Sequence, residues 1–228
     1  MPQATKARTT WIWFVVGLVV VGLVGVLATG YVLDWGEPPR PSASSSAEPE
    51  PTSSPTSAPD ISVTGCLGGD TRDAAMVLRT REQAPRTTNG AVEVAAAFVR
   101  WLNQFPYPSP ENSRAIEESA LASEAPTKEI VAFFESEPNL SGGLVPDRTP
   151  YNLSTVAGVY YVESASPDSA VISVGTSLVE DGVMNPSLKG SITVTLAWED
   201  GGWKFVSSEG TRTTEDLFAM GRPFSEGC

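Results

Sequence analysis

A chain of 228 residues, 41% of them hydrophobic, has room for one ordinary domain with a sizeable core plus appendages. Fifteen Lys and Arg against 27 Asp and Glu give a net charge of −12, which repels a phosphate backbone, so no direct nucleic-acid binding is expected. Histidine is absent, which removes Ser-His-Asp and Cys-His nucleophile systems, histidine general bases and histidine metal ligands together.

Residues 1–10 carry Lys6 and Arg8 and read as a cytoplasmic tail. Residues 11–33, WIWFVVGLVVVGLVGVLATGYVL, bear no charge and are long enough as a helix to cross about 30 Å of hydrocarbon. Trp11, Trp13, Tyr31 and Trp35 stand at its ends, where amphipathic rings prefer the headgroup level. Basic residues before the segment and acidic Asp34 and Glu37 after it place the N-terminus in the cytoplasm and the remainder outside the cell membrane. The competing reading is a cleaved signal peptide with a poor site at Ala28-Thr29-Gly30; the apolar run exceeds an ordinary signal core and favours a single-pass anchor in the lipid bilayer. Gly22, Gly25 and Thr29 share one helix face and suit close self-association, although glycine is common in membrane helices in any case.

Residues 34–60 are rich in Pro, Ser, Thr, Ala and Glu and read as a disordered, partly polyproline-like linker. The globular pattern occupies 61–228, the expected extracytoplasmic domain, which holds 22 of the acidic and 12 of the basic side chains. Helices are expected at 71–83 and at about 89–105, the latter with Val94, Phe98, Trp101, Leu102 and Phe105 as an apolar stripe. Two more follow, one capped by Ser109 and running to about Ser123, one from near Pro126 to 137. After a loop, Leu140 to Pro150, the period becomes two: strands are expected at 156–164, 170–179, 190–198 and 202–208, and a last helix at 214–220. The fold class is therefore α+β, with helices packed on a curved four-stranded antiparallel sheet.

LAWEDGGWKF, residues 196–205, reads as a hairpin in which Asp200-Gly201 is the two-residue turn and Trp198 faces Trp203. Ile192, Val194, Leu196, Trp198, Trp203 and Phe205 then fall on a core face, with Ser191, Thr193, Thr195 and Lys204 toward solvent. Cys66 and Cys228 bracket the globular part and suggest a disulfide, the alternative being two unrelated thiols.

Chemistry is sparse. Nucleotide-binding, hydrolase and calcium-loop motifs are missing, so no catalytic residue, cofactor or metal is assigned. The carboxylate pairs Glu117/Glu118 and Asp70/Asp73 read as solvated side chains. Gly65-Cys66-Leu67-Gly68-Gly69 has the composition of an anion-binding nest, with a flexible junction as the plainer reading.

An N-terminal anchor, a stalk, several helices and then an antiparallel sheet closing in Asp200-Gly201-Gly202-Trp203-Lys204-Phe205 resembles the nuclear transport factor 2-like (cystatin-like) cone. Among tethered members it is similar to the bitopic subunits of type IV secretion and to TcpC-type conjugative transfer proteins. Those usually carry two such domains, and Asn185-Pro186-Ser187-Leu188 only partly matches the Asn-Pro-x-Gly element of the secretion subunits. The resemblance implies a non-enzymatic scaffold that associates with itself and with other envelope or channel subunits. The stalk, the missing histidine and the acidic domain fit a Gram-positive, actinobacterial surface. The alternative is a binding module whose concave face holds a hydrophobic, lipid or cell-wall ligand against Tyr160, Tyr161, Trp198 and Phe205.

Overall fold

In the computed structural model the described residues are 60–228. The expected tail, span, Gly22/Gly25/Thr29 face and nearly all of the linker lie outside them. No helix among the described residues is long and apolar enough to cross a membrane.

The helices are α1 (Ala74–Gln83), α2 (Thr88–Leu102), α3 (Pro110–Ser119), α4 (Ile130–Ser136) and α5 (Thr214–Met220). Four of the five begin at a side-chain cap: Asp73, Thr87, Ser109 and Thr213 each accept from a backbone N–H one turn on. The strands are β1 (Gln104–Phe105), β2 (Tyr151–Ala165), β3 (Ser169–Glu180), β4 (Val183–Glu199), β5 (Gly202–Ser207) and β6 (Arg222–Pro223). They form one curled antiparallel sheet in the order β1-β2-β3-β4-β5, with β6 also paired to β2. The expected meander is its centre, but the sheet has six strands rather than four.

Two strands start earlier than the alternation suggests. β2 begins at Tyr151 because Ser154 and Thr155, polar and therefore poor strand signals, are buried and bonded to Cys228 of the C-terminal segment. β4 begins at Val183, hidden by a register shift that pairs Leu178 with Asn185 but Ser177 with Lys189. Conversely α3 stops at Ser119, because the next residues leave the helix to bond β5: Phe205 N–H donates to Ala120 O, and Ala122 N–H donates to Phe205 O.

α2 is the axis of the domain. Every residue from Gly90 to Trp101 is buried, so the expected stripe understates it. Ala91, Val92, Val94, Ala95, Ala96 and Val99 join the core against the sheet, while Ala97, Phe98 and Trp101 join a second cluster with α1, α3 and α4. Four alanines keep the helix slim enough to be enclosed on all sides.

The turn at Asp200-Gly201 has φ of 51° and 76°, and Asp181-Gly182 repeats it at 49° and 75°, both matching the twist of a two-residue hairpin. Trp198 pairs with Trp203, their rings edge to face at 5.4 Å, and Trp203 is buried with its Nε1–H donating to Pro85 O. The face expected in solvent is partly covered, however. Leu217 of α5 is fully buried over the sheet, and Thr193 is buried beside Ser173.

Candidate functional site

Two constructions stand out, a polar clasp at the beginning of the domain and an apolar pocket between α2, α4 and β5.

The clasp is built on a charge inside the central helix. Glu93, 1% exposed, accepts from Gly65 N–H at 3.0 Å, Leu67 N–H at 3.2 Å, the Thr64 hydroxyl at 2.9 Å and Thr64 N–H. The glycine-rich loop is thus an anion nest, as its composition allows, and its anion is the protein's own carboxylate. Two turns along, Arg100, fully buried, donates to Gly69 O and Thr71 O. Burial lowers its pKa to about 10, and the neighbouring Arg72 charge adds to the effect. The C-terminal segment closes the other side. Ser225 N–H donates to Val63 O, Gly227 N–H to Thr64 O, and Thr155 N–H to Cys228 O. Cys66 and Cys228 stand at disulfide distance, Cα–Cα 5.4 Å, as the sequence suggests.

The pocket, about 290 Å³, is walled by Phe98 and Leu102 of α2, Leu121, Ile130 and Phe133 of α4, and Phe205 of β5, with Ser207, Ser208 and Glu209 at its polar rim. Phe205 is held by stacking on Phe98 at 4.2 Å.

The four residues expected to share a concave ligand face do not all meet: Tyr160 and Tyr161 line a separate groove of about 550 Å³ beside Met220 and Arg222, apart from Trp198 and Phe205. Only Phe205 lines this pocket. Tyr160 is buried against Phe224, and its neighbour Tyr161 lies under the Arg212 guanidinium, 4.4 Å from its ring centroid. Trp198 packs on Trp203 below Arg86. The concave side that they were expected to line is occupied by α2. Phe98, Leu102 and Phe133 were missed as pocket residues. The Phe133-Phe134 pair was the available signal: the two side chains leave the helix about 100° apart, and here Phe134 is buried in the cluster while Phe133 packs at its margin and lines the pocket.

On the outer sheet face Glu163 pairs with Arg212 and accepts from the Ser173 hydroxyl. The Arg212 hydrogen bonds, helped by Ser173, hold the Glu163 carboxyl below its ordinary range, and Glu163 holds Arg212 above its own. Two of the four carboxylates singled out by sequence have structural work: Asp73 caps α1, and Glu117 accepts from Val131 N–H, while Asp70 and Glu118 are exposed.

These features define an α+β domain in which a curled antiparallel sheet packs on a helix buried from Gly90 to Trp101. The chain belongs to the family described as Domain of unknown function (DUF8175), whose model matches residues 85–220. The match takes in α2 to α5 and the whole meander, and leaves both cysteines outside it. No curated protein and no solved structure matches the chain.

Proposed function

We propose that this protein is a non-enzymatic, membrane-anchored scaffold subunit whose domain stands outside the cell membrane and assembles with itself and with other envelope subunits, in an apparatus of the conjugation or type IV secretion kind. The observation that carries the reading is the clasp. It lies immediately past the expected linker and ties that point of attachment to the core helix through Glu93 and Arg100, and to the C-terminus through Cys66 and Cys228. A domain held at the end of a tether needs its attachment point fastened to its core, and a cysteine pair at disulfide distance suits an oxidising exterior. Helices on a curled sheet agree with the cone-like resemblance.

Anchor and orientation are tested together with a membrane-impermeant amine reagent on intact cells. Lys128 and Lys189, both exposed, are expected to be modified and Lys6 to be spared until the cells are opened. Equal modification of Lys6 would overturn the topology.

The pocket favours a second reading, a module that binds a small apolar ligand between Phe98, Phe133 and Phe205. Thermal shift with lipid and glycan panels separates the two, because the scaffold reading expects no stabilising ligand.

A further inference from the structure

The groove under Tyr160 and Tyr161 lies where the chain enters the domain. Val162, Ala165, Met220 and Arg222 line it with the two tyrosines, together with Thr88 and Asn89 at the start of α2. At about 550 Å³ it is larger than the apolar pocket and of the size that takes a sizeable ligand. Met220 is 51% exposed, one of three large apolar side chains left to solvent among the described residues. We propose that the linker residues immediately before the domain, Pro55-Thr56-Ser57-Ala58-Pro59, bind in this groove in an extended, polyproline-like form.

The direction of the chain identifies the occupant. Val63 O accepts from Ser225 N–H and Thr64 O from Gly227 N–H, so the incoming chain and the C-terminal segment advance side by side in the same direction. Followed backwards, residues before Val63 therefore run toward Arg222 and Met220, which line the groove. Asn89 fixes the next point: its side-chain amide donates to Ile61 O at 2.7 Å, and the same residue lines the groove. The chain is thereby delivered to the groove at Ile61. The five residues ahead of Asp60, at about 3.1 Å each, extend over about 15 Å from there.

Segment and groove also agree in chemistry. Proline fixes φ near −65°, so two prolines in five residues make the extended form cheap to order. Proline rings and the Ala58 methyl suit the tyrosine faces and the Met220 side chain, the mode in which aromatic-lined grooves take Pro-rich segments, and the free carbonyls of such a segment suit donors such as the Arg222 guanidinium and the Thr88 hydroxyl. The walls are set beforehand: Tyr161 is held under Arg212 at 4.4 Å, and Tyr160 against Phe224. Because the occupant is joined to the groove, its effective concentration reaches the millimolar range, and contacts too weak to hold a free peptide suffice. Bound in this way, the segment shortens the tether by about 15 Å and makes the domain leave it at one angle. That restraint goes beyond the scaffold reading and needs no partner protein.

The test uses the full-length protein in micelles, with isotope-labelled methionine methyls and tyrosine rings followed by nuclear magnetic resonance. Pro55→Gly, Thr56→Ser, Ser57→Gly, Ala58→Ser and Pro59→Gly together leave every described residue unchanged, so folding of the domain is not at stake. The combined variant should shift the Met220 methyl and the Tyr161 ring resonances and leave the buried Met76 methyl in place. In the unaltered chain, nuclear Overhauser contacts should join proline ring protons of Pro55 or Pro59 to the rings of Tyr160 or Tyr161, and the variant should lose them. Identical Met220 and Tyr161 resonances in the two chains would overturn the proposal. So would contacts that appear only between differently labelled copies in a mixed sample, which would mean that the groove takes the linker of a second copy. A soluble cell-wall glycopeptide that moved the same resonances equally in both chains would overturn it as well, because the groove would then be open to an outside ligand.

Discussion

Removing the Glu93 carboxylate should cost more stability than any surface change, and the structure allows the amount to be worked out. Glu93→Ala leaves three backbone N–H groups, of Thr64, Gly65 and Leu67, without their acceptor. Each buried orphan costs about 1–3 kcal/mol, and water entering the space left by the carboxylate offsets part of the sum. Removing one side of a buried charged contact typically costs about 3–5 kcal/mol, and Glu93→Ala should fall there. Glu93→Gln keeps one acceptor oxygen but turns an amide N–H toward a donor, so a loss of about 1–2 kcal/mol is expected. Urea unfolding of the full-length protein in micelles, followed by tryptophan fluorescence, measures both; Trp101 and Trp203 are buried and report on the core. Amides of Gly65 and Leu67 should also exchange faster than the rest of the domain. A Glu93→Ala protein within about 0.5 kcal/mol of the parent would refute the idea that this carboxylate organises the loop.

Protein isolated from its native host, denatured without reductant, should show no reactive thiol; two would leave Cys66 and Cys228 unbonded. Replacing both by serine should lower stability by up to about 5 kcal/mol, given a sequence separation of 162. The acid limb should change in Glu163→Gln. The folded pKa of Glu163 lies below its unfolded value, so its contribution is complete above the ordinary carboxylate range, about 4.3, and is lost as pH falls through the depressed value. The variant should therefore be less stable near neutrality and lose stability less steeply in acid; identical acid slopes would remove the pair from the account.

Legibility followed the range of the interaction. The Asp200-Gly201 hairpin and the cap of α3 were readable because turn and cap chemistry are local, and both stand where the residues indicate. The early start of β4 was hidden by a register shift that breaks the alternation on which the reading depends. Glu93 gave no signal, since its partners lie 26 to 29 residues away and a glutamate within a helix ordinarily reads as solvated. Tyr160 and Tyr161 do line one groove, whereas Trp198, packed on Trp203, and Phe205, stacked on Phe98, are held elsewhere by partners that strand alternation alone does not reveal.

The most direct test of the proposed assembly is mild cross-linking of the full-length protein in its native membrane, followed by affinity purification and identification of what accompanies it. The scaffold account predicts self-cross-links together with other envelope subunits, such as a transfer ATPase or channel components. Recovery of the protein alone, at cross-linking levels that capture known neighbours in the same membrane, would contradict it.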